Sequence, residues 1–417
     1  MTDIRVLTAK ELDAFTRIAA NAYPRFGWYD PDRRASLLQR LRAMHEDDPS
    51  VRFVGLFRDG RLLGGMRLHD FSMNFFGAMM PVGGVGMVAV DLLHKKQHVG
   101  KELLEYFLRT CRAQNAPLAL LYPFRPDFYR KMGFGYGPKK SRYRVHPDAL
   151  LRGDHPVHLR YLSKDDVPAL LACYQHYAQQ THGMIARTER DFERLLGKSE
   201  IRVIGYEADG VIQGYMAFTF ASTCDENFLR NDLHVAELLY ESRESLAELL
   251  TFLAIQRDQV ERIIIETLDD DFHFLLDDPR NDDPALINSV YHPTNVQGVG
   301  LMYRVLDVSA LFTALRHHNF GGQTCRLRIT LEDTFLPENA GSTLVAFGAG
   351  HATVIDTADA DVDIHLNVAD FSSLVVGAVD FKRLHTYGRA QISDVEYLET
   401  IQRLFAAARP PICMTGF

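Results

Sequence analysis

Apolar side chains along the chain recur first at helical and then at strand-like spacing. Leu12, Phe15, Ile18 and Ala19 fall three and four apart, on one helix face. Thr8-Ala9-Lys10-Glu11 before them has the spacing of a capping box, in which a hydroxyl and a carboxylate satisfy the first free amides of a helix. Residues 51–57 and 62–68 read as a strand and its return flanking Asp59-Gly60, which predicts a hairpin. A strand is expected at 86–90, an amphipathic helix at 99–111 and a buried strand at 117–122.

The same order returns in the middle of the chain. Ser163-Lys164-Asp165-Asp166 resembles a helix start, 201–206 a strand, Asp209-Gly210 a turn and 211–220 the returning strand. The turns themselves match, Asp59-Gly60-x-x-x-Gly64-Gly65-Met66 against Asp209-Gly210-x-x-x-Gly214-Tyr215-Met216. A strand at 233–240, a helix at 242–253 and a strand at 262–266 complete the repeat, which predicts a duplicated α/β unit. The acidic, turn-rich stretch 277–284 reads as a boundary. Beyond it the pattern changes to a helix at 308–316, strands at 325–331, 343–347 and 362–368, and helices at 369–376 and 394–407. Three domains are expected, at 1–150, 151–288 and 289–417, the last of α+β type.

Composition sharpens this in one respect. With 417 residues, 47% hydrophobic and 24% charged, the chain is an ordinary globular protein of two to three domains of about 150 residues. Its five cysteines, Cys111, Cys173, Cys224, Cys325 and Cys413, are far apart and include no CxxC pair, which suits a reducing cytoplasm. No apolar run approaches the roughly 18 residues of a membrane span, and the first 30 residues lack a signal-peptide pattern. Charge is the informative quantity. Residues 1–150 carry 24 Lys and Arg against 15 Asp and Glu, whereas the remainder carries 22 against 39. The first third therefore suits an anion. The basic residues form no long block interleaved with aromatics, which favours a phosphorylated cofactor over nucleic acid.

The segment that carries chemistry is 83–104, GGVGMVAVDLLHKKQHVGKELL. A buried strand runs into a short basic loop and then a helix opening at Gly100. First-turn amides have no partner inside a helix, and the macrodipole adds positive potential there. With Lys95, Lys96 and Lys101 alongside, the site suits a pyrophosphate; a plain strand–loop–helix with a solvated turn is the alternative.

Val88-x-Val90 followed by Lys95-Lys96-Gln97-His98-Val99-Gly100 resembles the acetyl-CoA signature of the GNAT acetyltransferases, commonly Arg/Gln-x-x-Gly-x-Gly/Ala after a V-x-V strand. Residues 128–137, FYRKMGFGYG, resemble that family's closing F-Y-x-x-x-G-F/Y segment. With the duplicated unit and the third domain, the whole chain resembles the Eis-like (enhanced intracellular survival) acetyltransferases. The resemblance implies an α/β (α+β) architecture: two tandem GNAT domains, only the first active, followed by a sterol-carrier-protein-like α+β domain. His98 stands where the motif has its first glycine.

The resemblance implies acetyl-CoA as co-substrate, with cofactor contacts from Val88, Ala89, Val90, Lys95, Lys96, Gln97, His98, Val99, Gly100, Lys101, Phe124 and Arg125. It implies Tyr129 as the general acid that protonates the departing thiolate; a phenol of reference pKa about 10 holds its proton at neutral pH. It implies the terminal carboxylate of Phe417 as the base, and Phe26 and Trp28 in the acceptor cleft. An α-carboxyl of reference pKa near 3.5 needs a raised value or an intervening water for that task. Each has a bland reading: a core tyrosine, a frayed terminus, plain aromatic packing. In the second unit the corresponding turn, 239–245, has no glycine and places Glu241 and Glu244 where the phosphates would lie.

The expected function is acetyl-CoA-dependent N-acetylation of an amine, aminoglycoside or other polycation, by a cytoplasmic enzyme that the resemblance implies is a hexamer. Nucleic acid and membrane are not expected as partners. A binding protein that holds an apolar ligand in the third domain is the alternative. Other chemistry lacks support. Gly197-Lys198-Ser199 has Phe192 where a P-loop needs glycine, and no G-x-S-x-G serine elbow occurs. His317-His318 and Asp269-Asp270-Asp271 lack metal-ligand spacing, so no metal is expected.

Overall fold

A computed structural model describes residues 2–417 except Arg152, Asp154, Asp225, Phe228, Asp282, Ser289 and Ala358. Asp282, part of the stretch read as a boundary, thus lies outside the described residues. The chain forms two compact units, Met1–Gly137 with Leu301–Pro411 and Thr415–Phe417, and Pro138–Gly300 with Ile412–Met414.

The first unit contains a seven-stranded sheet in the order Thr2–Val6, Val51–Arg58, Arg61–Phe75, Ala78–Val90, Leu118–Leu121, Met302–Val305, Gly135–Tyr136. The helix Val99–Ala113 packs Leu103, Leu104, Phe107 and Leu108 into its core, as the apolar spacing requires. Strands Ala78–Val90 and Leu118–Leu121 are parallel, but their pairing stops at Val85 opposite Leu121. The longer strand continues to Val90 with that edge no longer held by Leu118–Leu121. A left-handed residue, Met87 (φ 52°), interrupts its register with Arg61–Phe75.

The second unit has its own seven-stranded sheet, Asn295–Val299, Lys139–Val145, Val260–Thr267, Asn231–Tyr240, Val211–Ser222, Arg202–Ala208, Leu159–Tyr161. The repeat read from the sequence is visible in backbone detail. Asp59 and Gly60 have φ 49° and 78°, and Asp209 and Gly210 have φ 53° and 76°, the left-handed pairs of type I′ hairpins. Each copy also opens alike. Arg5 pairs with Glu11, whose carboxylate accepts from the Thr8 amide; Arg160 pairs with Asp166, whose carboxylate accepts from the Ser163 amide. The arginine holds each carboxyl down to about 2.

Chain order does not dictate sheet membership. Met302–Val305 lies between Leu118–Leu121 and Gly135–Tyr136 in the first sheet, while Lys139–Val145 lies in the second. Leu118–Leu121 is buried at all four positions, so its outer backbone edge needs a strand partner, and Met302–Val305 supplies it.

The third domain is a five-stranded sheet, His351–Ile355, Gly341–Gly348, Cys325–Glu332, Val362–Asn367, Ala390–Ile392, with helices that include Val308–Ala314, Val368–Val375 and Leu398–Leu404. All eight residues of Val368–Val375 are buried. Ser372 accepts from the Val305 amide at 2.9 Å, fastening this helix to the first sheet. A β-carbon on Gly135 would lie 2.2 Å from the Ala369 carbonyl, so contact of this closeness needs glycine. Arg304, wholly buried, pairs with Asp333 at 2.7 Å. No described helix is long and apolar enough to cross a membrane.

Candidate active site

On the donor side, Val88 and Val90 are half-buried on the splayed strand and Ala89 is buried. After a short 3-10 turn, Leu92–His94, the loop reaches Lys96 (φ 64°) and His98 (φ 62°), both left-handed. His98 therefore adopts the conformation for which the motif glycine is suited, at a cost of roughly 1–2 kcal/mol for a residue with a side chain. It is also the N-cap of Val99–Ala113, and no side chain caps that helix. The first-turn amides remain open to an anion, with Lys95, Lys96, Gln97 and His98 exposed around them. Arg58 steadies the loop, donating to the Gln97 carbonyl at 3.0 Å and to Glu102 at 2.6 Å. Val99 is buried beneath the helix start, while Gly100 faces Phe128 and Val90 with room for a β-carbon. Lys101 has its ammonium over the Phe335 ring at 5.7 Å.

Tyr129 lies in the short helix Pro126–Arg130 and is buried in the core of the first sheet, with Phe124, Phe128 and Phe134 edge-on around it. Burial pushes its phenol well up, and neighbouring Tyr23 adds to the shift. It stays protonated across neutral pH, as a proton donor must. Phe124 is largely exposed, and Arg125 beside it pairs with Asp127 at 2.6 Å. Tyr23 donates its hydroxyl to the Val88 carbonyl at 2.8 Å, fixing the splayed strand. Burial pushes Tyr23 up to about 12, and Arg67 opposes that rise. Phe26 and Trp28 stack at 4.6 Å, with Tyr23 edge-on to Trp28 at 6.1 Å. Phe26 is exposed, so this aromatic wall is open on one side.

The terminus is not frayed. Tyr122 donates to the Thr415 carbonyl at 3.0 Å. The Phe417 ring lies 5.0 Å from Phe71, 5.1 Å from Tyr122 and 5.6 Å from His69. Its carboxyl carbon lies 3.0 Å from where a β-carbon on Gly86 would be, and Arg67 Nη2 lies 3.4 Å from the same point. Arg67 was not singled out by the sequence; Tyr23 and Gly86 lay within the aromatic segment 23–29 and the segment 83–104 without a role of their own. The alternation of Arg67, His69 and Phe71 opposite Gly84 and Gly86 was the available signal.

The second copy differs where the phosphate would lie. Strand Asn231–Tyr240 passes into helix Arg243–Ala254 through Glu241 and Ser242 alone. Ser242 accepts from the Ser245 amide at 3.1 Å, so the helix start is already capped, and Glu241 is engaged with His176 at 2.8 Å. Glu237 stands two residues before Leu239, as Met87 does before Ala89. It is nine-tenths buried, bonded to Arg187 at 2.7 Å and to Tyr215 at 2.8 Å.

Comparison with known proteins agrees with this architecture. Residues 3–137 and 183–305 each match an acetyltransferase (GNAT) domain, and residues 309–414 match a sterol carrier protein domain. A Streptomyces coelicolor protein described as an uncharacterized N-acetyltransferase is 25% identical over 411 residues, covering 93% of this chain and 92% of its own. A Streptomyces avermitilis protein of the same description is 25% identical over 361 residues, 82% of this chain and 83% of its own. Among solved structures, a GCN5-related N-acetyltransferase from Anabaena variabilis superposes over all of both chains with TM-score 0.82 at 17% identity. Eis1 from Mycobacterium abscessus does so with TM-score 0.75 at 20% identity. The chain is a GNAT acetyltransferase, and its domains imply acetyl-CoA as co-substrate. It carries two such domains followed by a sterol carrier domain, in a fold similar to that of Eis1 along the full length of the chain.

Proposed function

We propose that this chain moves the acetyl group of acetyl-CoA to an amine of a small polycationic acceptor, an aminoglycoside or a similar polyamine, with Tyr129 as general acid and the Phe417 carboxylate as general base. The observation that carries the reading is the seat of the terminal carboxylate, against Gly86 on the splayed strand.

The open amides at Val99–Lys101 and the lysines of the loop suit the pyrophosphate, and the free edge of residues 86–90 suits the pantetheine arm. The Val90 amide is assigned to the oxyanion. As the C–N bond forms, the Phe417 carboxylate accepts the amine's proton. As the C–S bond breaks, the Tyr129 phenol gives its proton to sulfur. The stacked Phe26 and Trp28 form one wall of the acceptor cleft, and the acidic remainder of the chain attracts cations. The same reading extends to a cytoplasmic homo-oligomer, a hexamer, for which light scattering is the check.

Deletion of Phe417 is expected to lower turnover by about 10³-fold while the acetyl-CoA Kd from calorimetry changes less than about threefold. Tyr129→Phe is expected to lose about 10²-fold in kcat with little change in acetyl-CoA affinity. Full activity without Phe417 would overturn the carboxylate assignment.

A further inference from the structure

We propose that Arg67 is the positioning residue for the Phe417 carboxylate, and that Gly84 and Gly86 are bare so that the last residue can lie along the sheet and reach it. The proposal rests on the reading of Phe417 as base and adds what holds that base in place.

Strand pairing supplies the geometry. In the antiparallel pair Arg61–Phe75 with Ala78–Val90, Arg67 is opposite Gly86 and His69 is opposite Gly84. Directly opposite residues share a face, and residues two apart on one strand do too. Arg67, His69 and Phe71 thus form a wall of side chains, and Gly84 and Gly86 form a floor without any. Phe417 occupies that floor in one orientation. A β-carbon on Gly84 would lie 3.2 Å from the Phe417 ring, and one on Gly86 would lie 3.0 Å from its carboxyl carbon and 3.2 Å from its oxygen. The ring end meets His69 and Phe71, and at the other end the carboxyl carbon and Arg67 Nη2 lie 3.0 and 3.4 Å from the same point, the place of a β-carbon on Gly86. The polarity of the groove matches the polarity of a terminal phenylalanine, end for end.

Gly86 has no left-handed backbone, so its bareness answers to space rather than to conformation. The atoms a side chain there would meet belong to Phe417 and Arg67. The ionisable groups around the carboxylate are Arg67 and His69 from one strand and Tyr122 from the end of another, with Tyr23 coupled to Arg67 and Tyr129 to Tyr23. Arg67 is the fixed positive charge among them. Its guanidinium favours the ionised carboxylate and sets its direction.

The test is a pH profile of kcat/KM for Arg67→Met, Arg67→Lys, Gly86→Ala and the Phe417 deletion, singly and with Arg67→Met combined with the deletion. Arg67→Met is expected to lower kcat/KM by about 30-fold and to move the acid limb upward by about one pH unit. Arg67→Lys should restore the limb and only part of the rate. Gly86→Ala should lower kcat at least about tenfold with the acetyl-CoA Kd unchanged, and it keeps the proposal testable if Arg67→Met fails to fold. Deleting Phe417 from Arg67→Met should cost far less than deleting it from the parent, because both act through one group. An unmoved acid limb, fully multiplicative losses, or a fully active Gly86→Ala would each overturn the role of Arg67, with the base reading intact if the single deletion is inactive. A fully active deletion would remove the base reading and this proposal together.

Discussion

In the first acetyltransferase copy eight residues, Asp91–His98, join the strand to its helix; in the second, Glu241 and Ser242 do the same work. The longer connection bends through two left-handed residues and leaves the helix start uncapped. The shorter one caps its helix with a serine hydroxyl. Under the two helices the strands differ in the same sense: a half-buried Met87 in one, a buried Glu237 tied to Arg187 and Tyr215 in the other. The second copy has satisfied internally the polar groups that the first keeps available. On the proposed reading, the phosphate site of this pair is a helix start left without a side-chain cap.

The comparison breaks most directly at Arg187. Arg187→Met leaves Glu237 buried without its cation and is expected to destabilise the second unit by about 3–5 kcal/mol. Hydrogen exchange of the amides in Asn231–Tyr240 measures this, and Arg187→Met with Glu237→Leu should recover most of the loss. Exchange as slow as the parent's in the single variant would mean the pair is not what holds that copy closed.

Placing a second glutamate in the first turn of the first helix, beside Glu102, is the next largest change. Gly100→Glu has room for its β-carbon, since Phe128 and Val90 lie 3.7 Å from it. Calorimetry is expected to show acetyl-CoA affinity about 100-fold weaker with fold stability unchanged, since a first-turn glutamate suits the helix and repels phosphate. Undiminished affinity would place the phosphates elsewhere.

His98→Gly should raise stability by about 1 kcal/mol in denaturant unfolding by relieving the left-handed side chain, without loss of acetyl-CoA binding. A loss of binding would show that the imidazole itself contacts the cofactor.

The smallest effects test what the copies share. Glu11→Gln and Asp166→Asn should each cost less than about 1 kcal/mol at pH 7, since both ion pairs are partly solvated. Each carboxyl is held to about 2 in the folded protein by its arginine. The stability it contributes is complete above its unfolded value near 4 and is lost as pH falls through about 2. Parent and variants should therefore converge on acidification. Unequal losses would show that the two entry corners are not equivalent.

Most helices and strands were legible because burial on one side writes a period into the chain. The helix Pro31–Asp47 was not, despite Asp30 and Pro31 at its start, because only Leu37 and Leu41 along its length are buried and too little apolar face remains to read. The exchange of Met302–Val305 and Lys139–Val145 between sheets was invisible for another reason: local pattern states that a segment is a strand, not which edge it completes. At the site, the loop 95–100 announced itself by its glycine and lysines. The bond from Tyr23 to Val88 did not, because a hydrogen bond to a carbonyl 65 positions away has no local signature.

The amino-acid sequence alone determined the duplicated unit, the basic loop before the helix at 99–113 and the acetyltransferase family, since each is carried by neighbours in the chain. Tertiary structure decided the rest. It put His98 in the left-handed conformation of the glycine it replaces, completed the first sheet with a strand from beyond residue 300, and laid Phe417 along Gly84 and Gly86 toward Arg67. Those features depend on strand register and on contacts between residues hundreds of positions apart. Register is fixed only when whole faces are buried together.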